Sequence, residues 1–385
     1  MTDVFADHIS GGEMSYIYLG PGTNAGTLKY QITLRLYRDC ASGGAQLDPT
    51  VVFTVFDTRT NTQFLNIQGI PGSATFIIRK TPVDPCIDDP IELQVCFEYK
   101  IYTTIIDNIP VTPDGFTVAY QRCCRVAGME NINSNGIGST YFAMIPGNMN
   151  VGAETNTSPQ FKTKDTVLIC SGRPITFDFS ADDADGDSLV YRFYNAFTGG
   201  GAGAGGNAPD PAFPPPYIPV TYINGYNAPF PLGPLVNINV TTGLISGIAP
   251  NVGLLGNKIF SITVLINEYR NGIRIASHFK DLQIRIVDCQ IPTANLDPVF
   301  TSCDGFTVNF QNNAPNNPVP TFFWDFGDPL SGPSNTSTLQ TPSHTFTDTG
   351  VYVVKLVLNQ GLQCGDSTTI SCISGIGKLN RCIYT

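Results

Sequence analysis

Across 385 residues only 14% are charged, while 38 Gly, 29 Pro and 11% aromatics suit many short strands and turns and leave little for amphipathic helices. The net charge of −10 argues against nucleic acid and anionic membrane as partners, and no apolar run reaches the length of a transmembrane helix. Eleven cysteines without CxxC-type spacing, beside three scattered histidines, point to disulfides in an oxidising compartment rather than to zinc.

The opening residues, Met1-Thr2-Asp3-Val4-Phe5-Ala6-Asp7, have neither a basic n-region nor an apolar h-region, so an extracellular chain of this sequence is expected to have lost its export signal. Residues 1–155 read as one β-sandwich. Leu28 to Leu36 alternates strictly, and Glu92 to Tyr102 repeats the pattern, with Leu93, Val95, Phe97, Tyr99 and Ile101 expected inside and Cys96, Glu98 and Lys100 outside. Further strands are expected at 14–19, 51–57, 74–80, 115–122 and 139–145, separated by turn clusters such as Ser42-Gly43-Gly44. Cys40, Cys86, Cys96, Cys123 and Cys124 fall in this unit. Adjacent residues of a strand point to opposite faces, so Cys123 and Cys124 are not expected to pair with each other.

A second β unit spans 156–290, with strands expected at 166–170, 174–180, 188–194, 236–240, 258–266, 273–278 and 280–288. Between its third and fourth strands lies a Gly-rich tract, 199–206, followed by proline-rich text ending Pro214-Pro215-Pro216. Flexible and then extended, it reads as a long exposed insertion, either a binding loop or an inert tether.

One stretch carries site chemistry. Asp182-Asp183-Ala184-Asp185-Gly186-Asp187 crowds four carboxylates around a glycine. Like charges this close raise one another's pKa unless a cation neutralises them. Calcium, a hard ion wanting six to eight oxygens, suits Asp183, Asp185 and Asp187, with Glu268 as a ligand from a later strand. A solvated Asp/Gly turn that needs no ion is the alternative. The EF-hand pattern fails for want of a Glu at the last loop position. Cys170 and Cys289 flank the unit, and a bond between them would close a long loop, contributing roughly 4–5 kcal/mol on the chain-entropy model.

The third unit is expected at 291–376, with a tail at 377–385. Its strand-like Phe322-Phe323-Trp324-Asp325-Phe326-Gly327-Asp328 contains the only Trp of the chain. Pro342-Ser343-His344-Thr345-Phe346 follows, and Gly350 turns the chain into a strand that alternates Val351, Val353, Lys355 against Tyr352, Val354, Leu356. This wording resembles the polycystic kidney disease (PKD) repeat, an immunoglobulin-like module whose motif core would be Trp324, Asp325, Gly327, Asp328, His344, Gly350 and Tyr352. Pro329 replaces the usual glycine, which implies a longer or differently shaped turn. The resemblance also supports a Cys303–Cys364 disulfide.

In the second unit, Asn156-Thr157-Ser158-Pro159-Gln160-Phe161, the Asp-rich turn and Thr241-Thr242-Gly243-Leu244-Ile245-Ser246-Gly247 together resemble cadherin-like, putative immunoglobulin-like domains of bacterial surface proteins. A bound calcium near a domain end would stiffen the junction, as in cadherin-like arrays. The whole chain resembles the surface and gliding-motility adhesins of Bacteroidetes-type bacteria, which implies export by type IX secretion.

The expected fold is therefore all-β, tandem immunoglobulin-like β-sandwiches. No GxSxG elbow, HExxH, phosphate loop or dinucleotide fingerprint occurs, so no enzyme is expected. The expected role is a non-catalytic adhesin or surface-filament segment with a polysaccharide or protein ligand, or neighbouring subunits, outside the cell. The alternatives are the accessory region of a secreted hydrolase and a structural subunit that assembles by strand exchange.

Overall fold

Strands joined by glycine and asparagine turns supply most of the regular structure among the described residues. The computed structural model describes residues 8–40, 44–79, 96–150, 152–162, 168–200, 208–253, 256–289, 291–296, 301–302, 306–314, 320–362, 364–374 and 380–383. The described residues up to 287 form one compact body, and those from 288 onward form a second. The architecture is all-β, with immunoglobulin-like sandwich layers.

In the first body the chain runs through β1 (Ile9–Pro21), β2 (Thr27–Asp39), β3 (Thr50–Asp57), β4 (Gln63–Pro71), β5 (Phe76–Arg79), β6 (Cys96–Pro110), β7 (Phe116–Arg122) and β8 (Ser139–Ile145). It continues with β9 (Gln160–Phe161), β10 (Leu168–Cys170), β11 (Pro174–Asp178), β12 (Ala181–Asp182), β13 (Ser188–Phe193), β14 (Val236–Ile238), β15 (Leu244–Ile248), β16 (Asn257–Arg270) and β17 (Ile273–Val287). The strands expected on either side of the 155/156 boundary meet in one sheet, ordered β13-β16-β17-β1-β2-β6-β5, with β10 parallel to β17. The joint is the antiparallel pairing of β1 with β17, in which Gly12 lies opposite Asp281. Gly11 is required there: a Cβ would meet the Asp281 carbonyl oxygen at 2.3 Å.

This register puts the face bearing Met14 and Tyr16 opposite to the face bearing Leu282 and Ile284. The sheet β4-β3-β7-β8 packs on the first face through Leu34, Leu36, Phe53, Val55, Val118 and Tyr141. The sheet β11-β15-β14 packs on the other, against Phe260, Ile262, Val264 and Ile284. Charge is buried at the joint. Arg125 and Asp281 pair at 2.5 Å with almost no exposure, and Ser261 donates to Asp281 Oδ1 at 3.1 Å. Removing one member of such a pair costs about 3–5 kcal/mol because the other is left buried and uncompensated.

Several local expectations are corrected. The strands β4 and β15 were not anticipated, and 273–287 is one strand rather than two. In β6 Phe97 is buried as expected, but further along the face that meets the first core is the other one: register with β2 sets Tyr102 beside Leu34 and Lys100 beside Leu36. Tyr102 and Ile106 enter the core, while Ile105 is exposed. The strand is apolar on both faces, and Lys100 escapes by reaching the Leu47 carbonyl at 3.1 Å. Glu92, Leu93 and Val95 lie outside the described residues. Cys123 and Cys124 do pair with each other, across a cis peptide. Strand alternation does not govern them because β7 ends at Arg122.

The proline-rich half of the insertion is not exposed as a whole. Ala212 and Tyr217 pack on Phe56, Ala119, Phe142 and Phe197, on the outer face of β4-β3-β7-β8. Residues 201–207 of the Gly-rich tract lie outside the described residues.

The second body comprises β18 (Thr301–Ser302), β19 (Thr307–Asn309), β20 (Phe322–Asp325), β21 (Thr336–Ser337), β22 (Ser343–Thr345), β23 (Gly350–Leu358), β24 (Asp366–Ser374) and β25 (Asn380–Ile383). Its larger sheet is ordered β18-β25-β24-β23-β20-β21, and β19 pairs with β22. The alternation in β23 reads as expected: Val354, Leu356 and Leu358 enter the core around Trp324, and Val351 and Val353 face solvent. Among the described residues no helix is long and apolar enough to cross a membrane, which says nothing about a β-barrel.

Candidate metal centre

The turn between β12 and β13 is held by Asp183. Its Oδ1 accepts the backbone N–H groups of Asp185 (3.0 Å) and Asp187 (2.8 Å), and Gly186 takes the left-handed conformation that closes the turn, φ +80°. Strand pairing brings Glu268 of β16 opposite Leu189 of β13, at the foot of the same turn. Asp183, Asp187 and Glu268 each offer a carboxylate oxygen, and these atoms lie within 4.8 Å of one another.

Asp185 does not join them. Its Oδ2 accepts the N–H of Thr157 at 2.7 Å and lies 3.6 Å from Arg270 Nη2. Arg270, two residues beyond Glu268, was not singled out from sequence although strand alternation places it near Glu268. It clamps Asp187 through Nε (2.9 Å) and Nη2 (2.6 Å), and it donates to the Gly152 carbonyl (2.6 Å) and Asn156 Oδ1 (2.7 Å). The acidic turn is thereby tied to residues 152–157, the link between the halves of the body.

Two oxygens in this cluster are without a hydrogen-bond partner among the described residues: Asp183 Oδ2 and Glu268 Oε1, both buried atoms. Glu268 is fully buried, and its Oε2 lies 2.8 Å from His278 Nε2. His278, one of the three histidines scattered along the sequence, is therefore partnered. Burial, reinforced by nearby Asp183 and Asp187 and opposed by Asn156, pushes the Glu268 carboxyl up to about 9. Burial holds His278 down at about 3, so with no cation present both groups are neutral at pH 7. Asp183 is also raised, by burial first and then by Asp187 and Asp185. An all-oxygen donor set with two unsatisfied carboxylate oxygens fits a hard cation such as calcium, with backbone and water oxygens completing its shell.

The motif residues of the second body form a hydrogen-bonded corner. Trp324, fully buried, donates Nε1–H to the Leu339 carbonyl at 2.9 Å. Asp325 Oδ1 accepts from Gly327 N–H (3.0 Å) and Asn335 Nδ2 (3.1 Å). Gly327 sits at φ +68°, where a Cβ would meet the Val353 carbonyl oxygen at 2.5 Å. Asp328 accepts from Thr347 N–H (2.9 Å) and Thr347 Oγ1 (2.7 Å), and its Oδ2 lies 3.2 Å from His344 Nε2. Burial alone would raise Asp328, but these bonds hold its carboxyl below the ordinary range. His344 stacks on Phe326 at 4.3 Å, and Tyr352, just after Gly350, stacks on Phe346 at 4.3 Å. After Asp328, Pro329 opens a pair of 3-10 turns that meet at a kink at Gly332 and run to Asn335.

Residues 289–373 match the PKD domain family. The chain carries a PKD-type module. No curated protein matches the chain. Among solved structures it is similar to titin domains A168–A170 (9% identity, TM-score 0.23, covering 91% of this chain and 93% of that one). It is likewise similar to Drosophila OTK extracellular domains 3–5 (10% identity, TM-score 0.23, covering 94% and 97%). The fold rests on the strands themselves.

The sequence-predicted cysteines divide. Cys170, Cys289 and Cys364 are each disulfide-bonded, and Cys303 lies outside the described residues. Cys372, also disulfide-bonded, stands opposite Cys382 in the register of β24 and β25.

Proposed function

We propose that this chain is part of an extracellular adhesion-type protein, a non-catalytic adhesin or surface-filament segment whose sandwich bodies project a binding surface, with calcium at Asp183, Asp187 and Glu268. PKD and immunoglobulin-like modules are typical of extracellular adhesion-type proteins, and the disulfide-bonded cysteines fit an oxidising compartment. The calcium reading rests on one observation: two buried carboxylate oxygens, Asp183 Oδ2 and Glu268 Oε1, face a shared acidic cluster without partners. A cation there neutralises that cluster. Through Asp187, Arg270 and Asn156 it also stiffens the 152–157 link.

Thermal unfolding of the full chain in excess calcium and in chelator tests the ion. The melting temperature is expected to rise with calcium, by the equivalent of about 2.7 kcal/mol at a hundredfold excess over Kd. The rise is expected to vanish in Asp183→Asn and in Glu268→Gln. Identical melts with and without calcium would sink this reading. The location is tested separately with antibody to the chain on intact cells. Signal on the surface supports the adhesin, whereas signal in the medium that copurifies with hydrolase activity would replace it with a hydrolase accessory region.

A further inference from the structure

Residues 209–217 cross the outer face of β4-β3-β7-β8 as a strap, and how they are held is informative. Asp210 is gripped by two amides: Asn66 Nδ2 donates to Oδ1 (2.7 Å) and Gln68 Nε2 to Oδ2 (2.9 Å). Ala212 N–H donates to Thr54 Oγ1 at 2.9 Å. Gln121 reads the backbone of Phe213 in both directions, accepting its N–H at 2.9 Å and donating to its carbonyl at 3.4 Å. Among the described residues, no backbone–backbone hydrogen bond joins 209–217 to the sheet.

These anchors share one face. Asn66, Thr54, Ala119 and Phe142 stand in a single cross-strand row over all four strands, and Gln68 and Gln121 lie two residues further along theirs. The opposite face supplies Phe53, Val55, Val118 and Ala143 to the core. A face meant only to be covered gains most from apolar residues. This one instead pairs an aromatic floor, on which the Tyr217 ring meets Phe142 at 4.8 Å, with neutral amides and a hydroxyl aimed at a carboxylate and a backbone. Beside the start of the strap, Pro209 also lines a separate cleft of about 310 Å³ with Asp48, Tyr120 and Arg122. Proline-rich segments suit such a site because little chain entropy is lost on binding.

We propose that this face is a recognition groove for a proline-rich, acid-bearing segment of a second protein chain, and that residues 209–217 fill it as a resident competitor. The carboxylate docks between Asn66 and Gln68, the backbone two to three residues later docks on Thr54 and Gln121, and an aromatic residue past the prolines takes the place of Tyr217. Opening the strap breaks side-chain anchors and leaves every strand of the sheet paired. The reading is independent of the calcium site.

The probe is a fluorescent peptide with the sequence of residues 209–217, titrated by anisotropy into the full chain and into a variant with 209–217 replaced by an equal run of Gly and Ser. The replaced variant is expected to bind saturably. Gln121→Ala in that background is expected to weaken binding about tenfold, as is Asn in place of Asp in the peptide. The unmodified chain binds more weakly, by the fraction of time its own strap is open. No binding by the folded replaced variant, or binding indifferent to Gln121, overturns the proposal. Should the replaced variant not fold, amide exchange of the unmodified chain decides. Faster exchange at Ala212 and Phe213 when millimolar peptide is added supports the groove, and unchanged exchange there overturns it.

Discussion

Asp328 and Glu268 are both carboxylates withdrawn from water beside a histidine, and the protein treats them in opposite ways. Asp328 has a donor for each oxygen, and its pKa falls despite burial. Glu268 has one oxygen on His278 and one facing Asp183 and Asp187, and its pKa rises to about 9. Burial is common to both, so hydrogen-bond donors make the difference. The first is a structural pin whose chemistry is complete. The second keeps one oxygen, Oε1, without a hydrogen-bond partner among the described residues.

The largest expected effect breaks the pin. Asp328→Ala leaves His344 and Thr347 without their acceptor inside the PKD-type module and is expected to cost about 3 kcal/mol. The single Trp lies in that module, so denaturant unfolding followed by Trp324 fluorescence reads it separately from the first body. Next, Arg270→Gln removes the clamp on Asp187 and the ties to Gly152 and Asn156. It is expected to destabilise the first body by about 1–2 kcal/mol, measured by circular-dichroism melts in chelator. Thr347→Val, which deletes one of the bonds to Asp328, is expected to cost about 1 kcal/mol on the Trp324 signal.

The smallest effect sharpens the contrast. In chelator at about pH 4, below its ordinary range, Glu268 is neutral in the folded chain and largely neutral in the unfolded one, so Glu268→Gln is expected to change stability there by less than about 0.5 kcal/mol. Its pH signature is larger. A carboxyl whose folded pKa is raised stabilises fully below its unfolded value and loses that contribution as pH climbs. Stability of the first body in chelator should therefore decline between about pH 4.5 and 9, and Glu268→Gln should flatten that decline. Asp328, with its lowered pKa, gives the reverse sign: its contribution is lost as pH falls below the ordinary carboxylate range. A first-body pH profile unaltered by Glu268→Gln would contradict the assigned protonation.

What was legible from sequence divides along the same physical line. Local signals read correctly: the alternation of 28–36 and of β23, the Asp-rich turn, and the W-D-F-G-D wording around Trp324. Non-local ones did not. Nothing in Ile9–Pro21 or Ile273–Val287 announces that they pair, because the register depends on Gly11 admitting the Asp281 carbonyl. The facing of β6 was misread because both its faces are apolar and the register with β2 decides between them. The acidic cluster was read as Asp183, Asp185, Asp187 and Glu268, yet Asp185 turns to Thr157, an assignment only three dimensions supply. The proline-rich strap was invisible because its anchors, Asn66, Thr54 and Gln121, are scattered over three strands of the other half.

The pairing of β1 with β17 also sets a clock. Glu13 meets Lys280 across 267 residues of sequence. At 5–20 residues per second, the first strand waits on the order of 15–50 s of synthesis before its partner exists. Until then its free edge is a template for any passing strand. A chain built this way is expected to depend on a chaperone during synthesis, more than its two halves would if each closed its own sheet.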